Sequence, residues 1–210
     1  VCPWCYIGKR RLERAIRRLD DQFLFELEYH PFELNPEMPE QGVDQKEYLV
    51  NKFGGETKYF QITERTTQVA AEEGLLFHFH KQGISPNTRR VHSLIHAAKE
   101  NGRQLEVVEA FFKAYFTDGI DLSKEENLVS TAVVAGLQQE TVKNILADDT
   151  AQMAIVFAEK EMYKLGITGV PFYIINNRYG VSGAQPTETF VNVFREIGDE
   201  LTSAEGSSCT

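Results

Sequence analysis

Residues 1–12 read V-C-P-W-C-Y-I-G-K-R-R-L. Cys2 and Cys5 are separated by two residues, a spacing at which two thiols can close a small disulfide ring and reopen it. Lys9, Leu12, Ala15, Ile16 and Leu19 continue the stretch at helical spacing. A helix starting here places the Cys2 sulfur beside unpaired backbone N–H groups and the positive end of the helix dipole, and both favour thiolate over thiol. The thiolate is the form that attacks a disulfide. Cys2, nearest the helix start and expected at its solvent edge, is the candidate nucleophile. Cys5, one turn further in, is the candidate resolving thiol. Pro3 fits the first helical turn, where its missing N–H costs nothing. Trp4, the single tryptophan, reads either as a hydrophobic plug or as a cover for the sulfur that contacts bound peptide, and in either role it would, with Pro3, tune the redox potential.

The remaining composition sets limits. The chain has 210 residues, of which 42% are hydrophobic, 25% charged and 11% aromatic, as in ordinary globular domains. A chain of this length buries roughly 70% of its unfolded surface and needs no disulfide or metal as scaffolding. A net charge of −9 argues against nonspecific nucleic-acid binding and against anionic membrane surfaces. Lys9, Arg10, Arg11, Arg14, Arg17 and Arg18 form a local basic cluster, read as the solvated face of the first helix. Three cysteines do not make a secreted disulfide framework. No membrane span or signal peptide is legible, and a cytoplasmic location is expected. The polar stretch 203–210 is expected to be mobile.

Along the chain, residues 23–34 alternate as a strand does, with Phe25, Leu27 and Tyr29 on one face and Glu26, Glu28 and His30 on the other. Residues 44–165 read as successive helices, one of them opened by a capping box of Ser123 and Glu126. Residues 170–175 and 179–182 are short apolar runs joined by Asn176, Asn177 and Arg178, a hairpin signal. Phe190, Val191, Val193, Phe194 and Ile197 then mark a last amphipathic helix. The order predicts an α/β protein: a thioredoxin fold made of residues 1–40 and 150–210, interrupted by an all-helical insertion at 41–149. In that arrangement a central parallel strand precedes the cysteine motif. Only Val1 does so here, and the sequence is expected to begin inside the fold.

At these positions the chain resembles the DsbA-like thioredoxin superfamily, and within it the FrnE-type branch. The resemblance is carried by residues 1–12 together with P-F-E-L-N-P at 31–36, P-N-T-R-R-V-H at 86–92, A-Y-F-T-D-G at 114–119, G-I-T-G-V-P-F at 166–172 and Y-G-V-S-G-A-Q-P at 179–186. It implies thiol–disulfide oxidoreductase activity on disulfide-containing proteins or small thiols, with a redox partner and no cofactor. It also implies a cis Pro171 against the Cys2 sulfur, with the Val170 backbone as the edge that pairs with an extended substrate.

Other readings are weaker. Zinc would need about four ligands, and the remaining thiol, Cys209, lies near the C-terminus. His92 and His96 stand one helical turn apart with no third ligand in view, so no metal site is assigned. Met153 and Met162 read as core residues, and His78 and His80 have no evident partner. Related glutathione-dependent isomerases and kappa-class transferases keep one serine where Cys2 stands and a G-x-D-R pattern after the last strand. This chain has Gly183, Ala184, Gln185 and Pro186 there. A non-catalytic holdase would leave the cysteine pair unexplained. Cys2 is therefore expected to titrate below the ordinary thiol value of about 8.5. Thiolate absorbance of the reduced protein against pH tests this, and an unshifted curve removes Cys2 from a helix N-terminus.

Overall fold

The computed structural model describes residues 1–207, and the side chains through residue 203. Cys209 lies outside the described residues. In chain order the elements are α1 (Pro3–Arg17), β1 (Val43–Asp44), α2 (Gln45–Phe53), α3 (Glu56–Glu72), β2 (Ile84–Ser85), α4 (Arg89–Glu100), α5 (Gln104–Lys113), α6 (Glu125–Val134), α7 (Gln139–Ala147), α8 (Asp149–Lys164), β3 (Phe172–Ile175), β4 (Tyr179–Ser182) and α9 (Thr187–Ser207). Two compact units emerge. One gathers Val1–Pro3 with Leu27–Gly169, and the other gathers Trp4–Glu26 with the chain from Val170 onward.

In the first unit α4 packs on α5, α7 and α8. Leu94, Val107, Phe111, Leu128, Val142 and Ile155 fill its core. After α5 the helix widens into a π turn over Ala114–Asp118 and stops at Gly119, whose φ is +72°. Gly119 also lies so close to Lys81 that a Cβ would stand 2.7 Å from its carbonyl oxygen, which excludes any other residue there. The turn brings Phe116 onto Phe77 with ring centroids 4.7 Å apart. It also places His78 Nδ1 2.7 Å from the Thr117 carbonyl oxygen. β1 and β2 form a two-residue antiparallel ladder that the sequence did not announce.

Residues 27–34 keep the expected alternation of burial but form no strand. A strand is defined by its ladder, and here side chains take the ladder's place. The Gln104 amide accepts from the Tyr29 N–H at 2.9 Å and donates to the Tyr29 carbonyl at 3.0 Å. The Glu159 carboxyl accepts from the Glu33 N–H.

The second unit packs α1 and α9 with the β3–β4 hairpin. The hairpin is antiparallel with Ile175 opposite Tyr179 and Phe172 opposite Ser182. Asn176 and Asn177 both have positive φ, and the Arg178 N–H reaches the Ile175 carbonyl at 3.1 Å. That is the type I′ turn expected of an Asn-Asn pair between strands. Tyr6, Ile7, Ala15 and Leu19 of the first helical stretch are buried, as are Phe190, Val191 and Phe194 of α9. Phe25 meets Phe194 edge-on at 4.9 Å, and Tyr173 meets Phe190 at 4.8 Å.

Several expectations are corrected. The basic cluster is not a solvated face. Lys9 is buried and paired with Glu13, Arg10 also reaches Glu13, and Arg11 Nη1 donates to the Ala184 carbonyl at 2.7 Å. Long basic stems pack along apolar surface while their heads find local acceptors, leaving Arg17 and Arg18 exposed. The Ser123 cap is not made. Asp121 Oδ1 takes both the Ser123 N–H and hydroxyl, and α6 begins at Glu125. Met153 is 57% exposed rather than core. Residues 203–207 continue α9, with the Ser203 hydroxyl bonded back to the Asp199 carbonyl.

Gly8 sets the approach of α1 to the hairpin. A Cβ there would overlap the Tyr173 hydroxyl and stand 3.3 Å from Pro171 Cγ. The Tyr173 ring lies edge-on against Phe190. Gly8→Ala should therefore destabilise the protein by about 1–3 kcal/mol in denaturant unfolding, and adding Tyr173→Phe should recover part of the loss. Equal stability of Gly8→Ala and wild type would refute the close packing.

Candidate functional site

The cysteine motif sits where α1 begins. Pro3 is the first helical residue, so Cys2 immediately precedes the helix and Cys5 lies in its first turn. Proline at this position gives up an N–H that has no intrahelical partner in any case. No acidic residue occupies the first turn, so no carboxylate of the helix itself opposes a negative sulfur there. The two cysteines stand three positions apart across the helix start. Their exposure reverses the expectation: Cys2 is 9% exposed, whereas Cys5 is only half-buried. Cys2 precedes the helix and groups with the first unit, while Trp4 and Cys5 group with the second. Trp4 is 36% exposed.

Within the second unit the motif's helix runs beside the Pro171 loop. A Cβ on Gly8, three residues beyond Cys5, would meet Tyr173, Pro171 and Ala184. The Val170–Pro171 bond is cis. Pro171 is buried, Val170 is half-buried, and the Pro171 carbonyl accepts from the Gly183 N–H at 2.8 Å. Trp4, Cys5, Val170 and Pro171 thus belong to one packed unit.

A second group of charged residues in the first unit escaped the sequence reading. Glu33 and Glu159 are 1% and 5% exposed. Arg89 directs Nε at 3.0 Å and Nη2 at 2.9 Å to the same oxygen, Glu33 Oε2, and Nη2 also reaches the Pro36 carbonyl at 3.2 Å. Burial first, and then the neighbouring Glu33 charge, lifts Glu159 to about 7. Glu33 is also raised by burial, with Arg89 acting against the shift. Nearby, burial holds His92 down at about 4. Asn87 aims the arginine, accepting from the Arg89 N–H at 2.9 Å and donating to the Met38 carbonyl at 2.7 Å. Glu33 lies in P-F-E-L-N-P, and Asn87 and Arg89 lie in P-N-T-R-R-V-H. An acid and a pair of arginines inside otherwise apolar or turn-forming stretches were the available signal.

Among the described residues no three His, Cys, Asp or Glu side chains gather as a metal site. No helix among them is long and apolar enough to cross a membrane.

A family model for the DSBA-like thioredoxin domain matches residues 1–195. The Bacillus subtilis protein YwbO is 27% identical over 201 residues, covering 95% of this chain and 92% of that protein. The crystal structure of a probable DsbA oxidoreductase from Streptomyces coelicolor is 34% identical, covers 95% of this chain and 86% of its own, and superposes with a TM-score of 0.88. A 2-hydroxychromene-2-carboxylate isomerase shares the fold at 12% identity, covering 100% of this chain and 95% of its own, with a TM-score of 0.65. The architecture is a thioredoxin fold with a helical insertion, and the chain belongs to the DSBA-like thioredoxin domain family.

Proposed function

We propose that this chain is a thiol–disulfide oxidoreductase of the FrnE type that works through Cys2 and Cys5. The carrying observation is a pair of cysteines three positions apart at the start of α1, in a chain of the DSBA-like family. On this reading residues 1–40 and 150–210 make the thioredoxin-like part, and 41–149 the helical insertion.

The chemistry balances without a cofactor. The Cys2 thiolate attacks one sulfur of a substrate disulfide, forming a mixed disulfide and expelling the other sulfur as a thiolate. The Cys5 thiolate then attacks the Cys2 sulfur, closing Cys2–Cys5 and releasing the second substrate thiol. The substrate gains two electrons and the pair loses two; the reverse sequence oxidises a dithiol substrate. Pro3 and Trp4 shape the pair's surroundings, and the half-exposed indole offers a surface for a peptide. The Val170 backbone is the proposed pairing edge for an extended substrate, beside a proline with no N–H to compete for the sulfur. The burial of Cys2 gives it the scarcer access, so substrate docking must uncover it before attack.

A glutathione-dependent isomerase is disfavoured by the second thiol and by Gly183-Ala184-Gln185-Pro186 in place of an acid–arginine grip. The isomerase that shares the fold supports the architecture alone.

Cys2→Ser is expected to abolish disulfide exchange, while Cys5→Ser should accumulate mixed disulfides detectable by non-reducing electrophoresis and mass spectrometry. Full turnover by Cys5→Ser alongside a silent Cys2→Ser would instead mark a monothiol mechanism and defeat the two-thiol proposal.

A further inference from the structure

We propose that Glu33 and Glu159 form a one-proton site, in which a proton held between the two buried side chains clasps the extended 27–35 backbone to α8 and α4. The inference does not depend on the redox reading.

The geometry leaves one acceptor unanswered. Glu33 Oε2 takes both donors of the Arg89 fork, and a Glu159 oxygen takes the Glu33 N–H. Glu33 Oε1 is buried with no donor among the described residues. The two carboxyl groups lie within side-chain hydrogen-bonding reach of each other. Two carboxylates facing each other offer only acceptors, whereas one protonated carboxyl supplies the missing donor. Charge leads to the same place. Two ionised acids against a single guanidinium leave a net negative charge in a buried site, and one proton removes it.

The surrounding charges are few. Arg89 comes from α4 and Glu33 from the extended segment. His92, also on α4, hydrogen-bonds the Phe32 backbone and is already neutral above about 4. Tyr163 of α8 packs on Phe32 with ring centroids 5.4 Å apart. Glu28 and His30 of the segment are exposed and pair with each other or with Lys99 of α4. Glu140 and Lys143 of α7, which also packs on α8, face solvent. Titration near neutrality therefore belongs to the carboxyl pair as a unit.

Its sign follows from linkage. Between the ordinary carboxyl value of 4.5 and about 7 the folded chain binds more protons here than the unfolded chain, so this site's stabilisation declines as pH rises through that window and stays lost above it. The full window corresponds to a ceiling of roughly 300-fold in the folding equilibrium. Glu159→Gln mimics the protonated pair at every pH: its amide oxygen accepts from the Glu33 N–H and its NH₂ donates to Glu33 Oε1.

Denaturant unfolding of wild type and Glu159→Gln between pH 5 and 8 tests the site. The wild-type folding constant should fall about tenfold or more relative to the variant. Parallel profiles would overturn the proposal. Should the variant not fold, carbon-13 NMR of glutamate-labelled wild type decides alone. One buried carboxyl titrating near neutrality, with the Glu33 amide proton following the same midpoint, supports the site. No glutamate carboxyl titrating above pH 6 would refute it.

Discussion

Burying a peptide backbone obliges the protein to answer each N–H and C=O it removes from water. Residues 27–34 are the place where that obligation shapes this protein. They alternate in burial as a strand does, yet no neighbouring strand is paired with them among the described residues. Gln104 at the start of α5 and Glu159 within α8 reach across instead. Burial of Glu159 disfavours its charged form and lifts it to about 7. Beside it the buried Glu33 takes the Arg89 fork, and Asn87 holds the start of α4 in place. Three helices are thus tied to one extended segment by polar groups, while apolar packing supplies the bulk of the unit's burial.

The cysteine motif is governed by a different constraint, the polarity of a helix start. Pro3 opens α1, and the first turn carries unpaired N–H groups and no acid. The sulfur chemistry proposed for Cys2 and Cys5 would need little beyond this: one thiol poised as thiolate and a second within a turn. The close approach of Gly8 to Pro171 and Tyr173 fixes the helix beside the hairpin loop that follows α8. A side chain at Gly8 would force them apart, so the glycine serves the site through packing and not through its own conformational freedom.

Much of this was legible in one dimension. Local rules act over three or four residues, and they located the cysteine pair at a helix start, the succession of helices, and the Asn176–Asn177 turn with both residues at positive φ. They failed where a residue's partner is distant. Lys9 and Arg11 look like solvated charges until Glu13 and the Ala184 carbonyl are seen beside them. Ser123 looks like a cap until Asp121 captures it. Residues 23–34 look like a strand because alternation records which face is buried, not what answers the backbone.

The sequence by itself determined the chemistry available, with two thiols at the spacing of a redox pair, and the order of the elements. Only the tertiary structure decided that Cys2 is the more covered of the two, because burial depends on everything packed around the helix start. It alone brought Glu33, Arg89 and Glu159 together across 126 residues of chain. Hydrogen bonds and ion pairs act at about 3 Å, and no local pattern records which distant residues the fold carries to that distance.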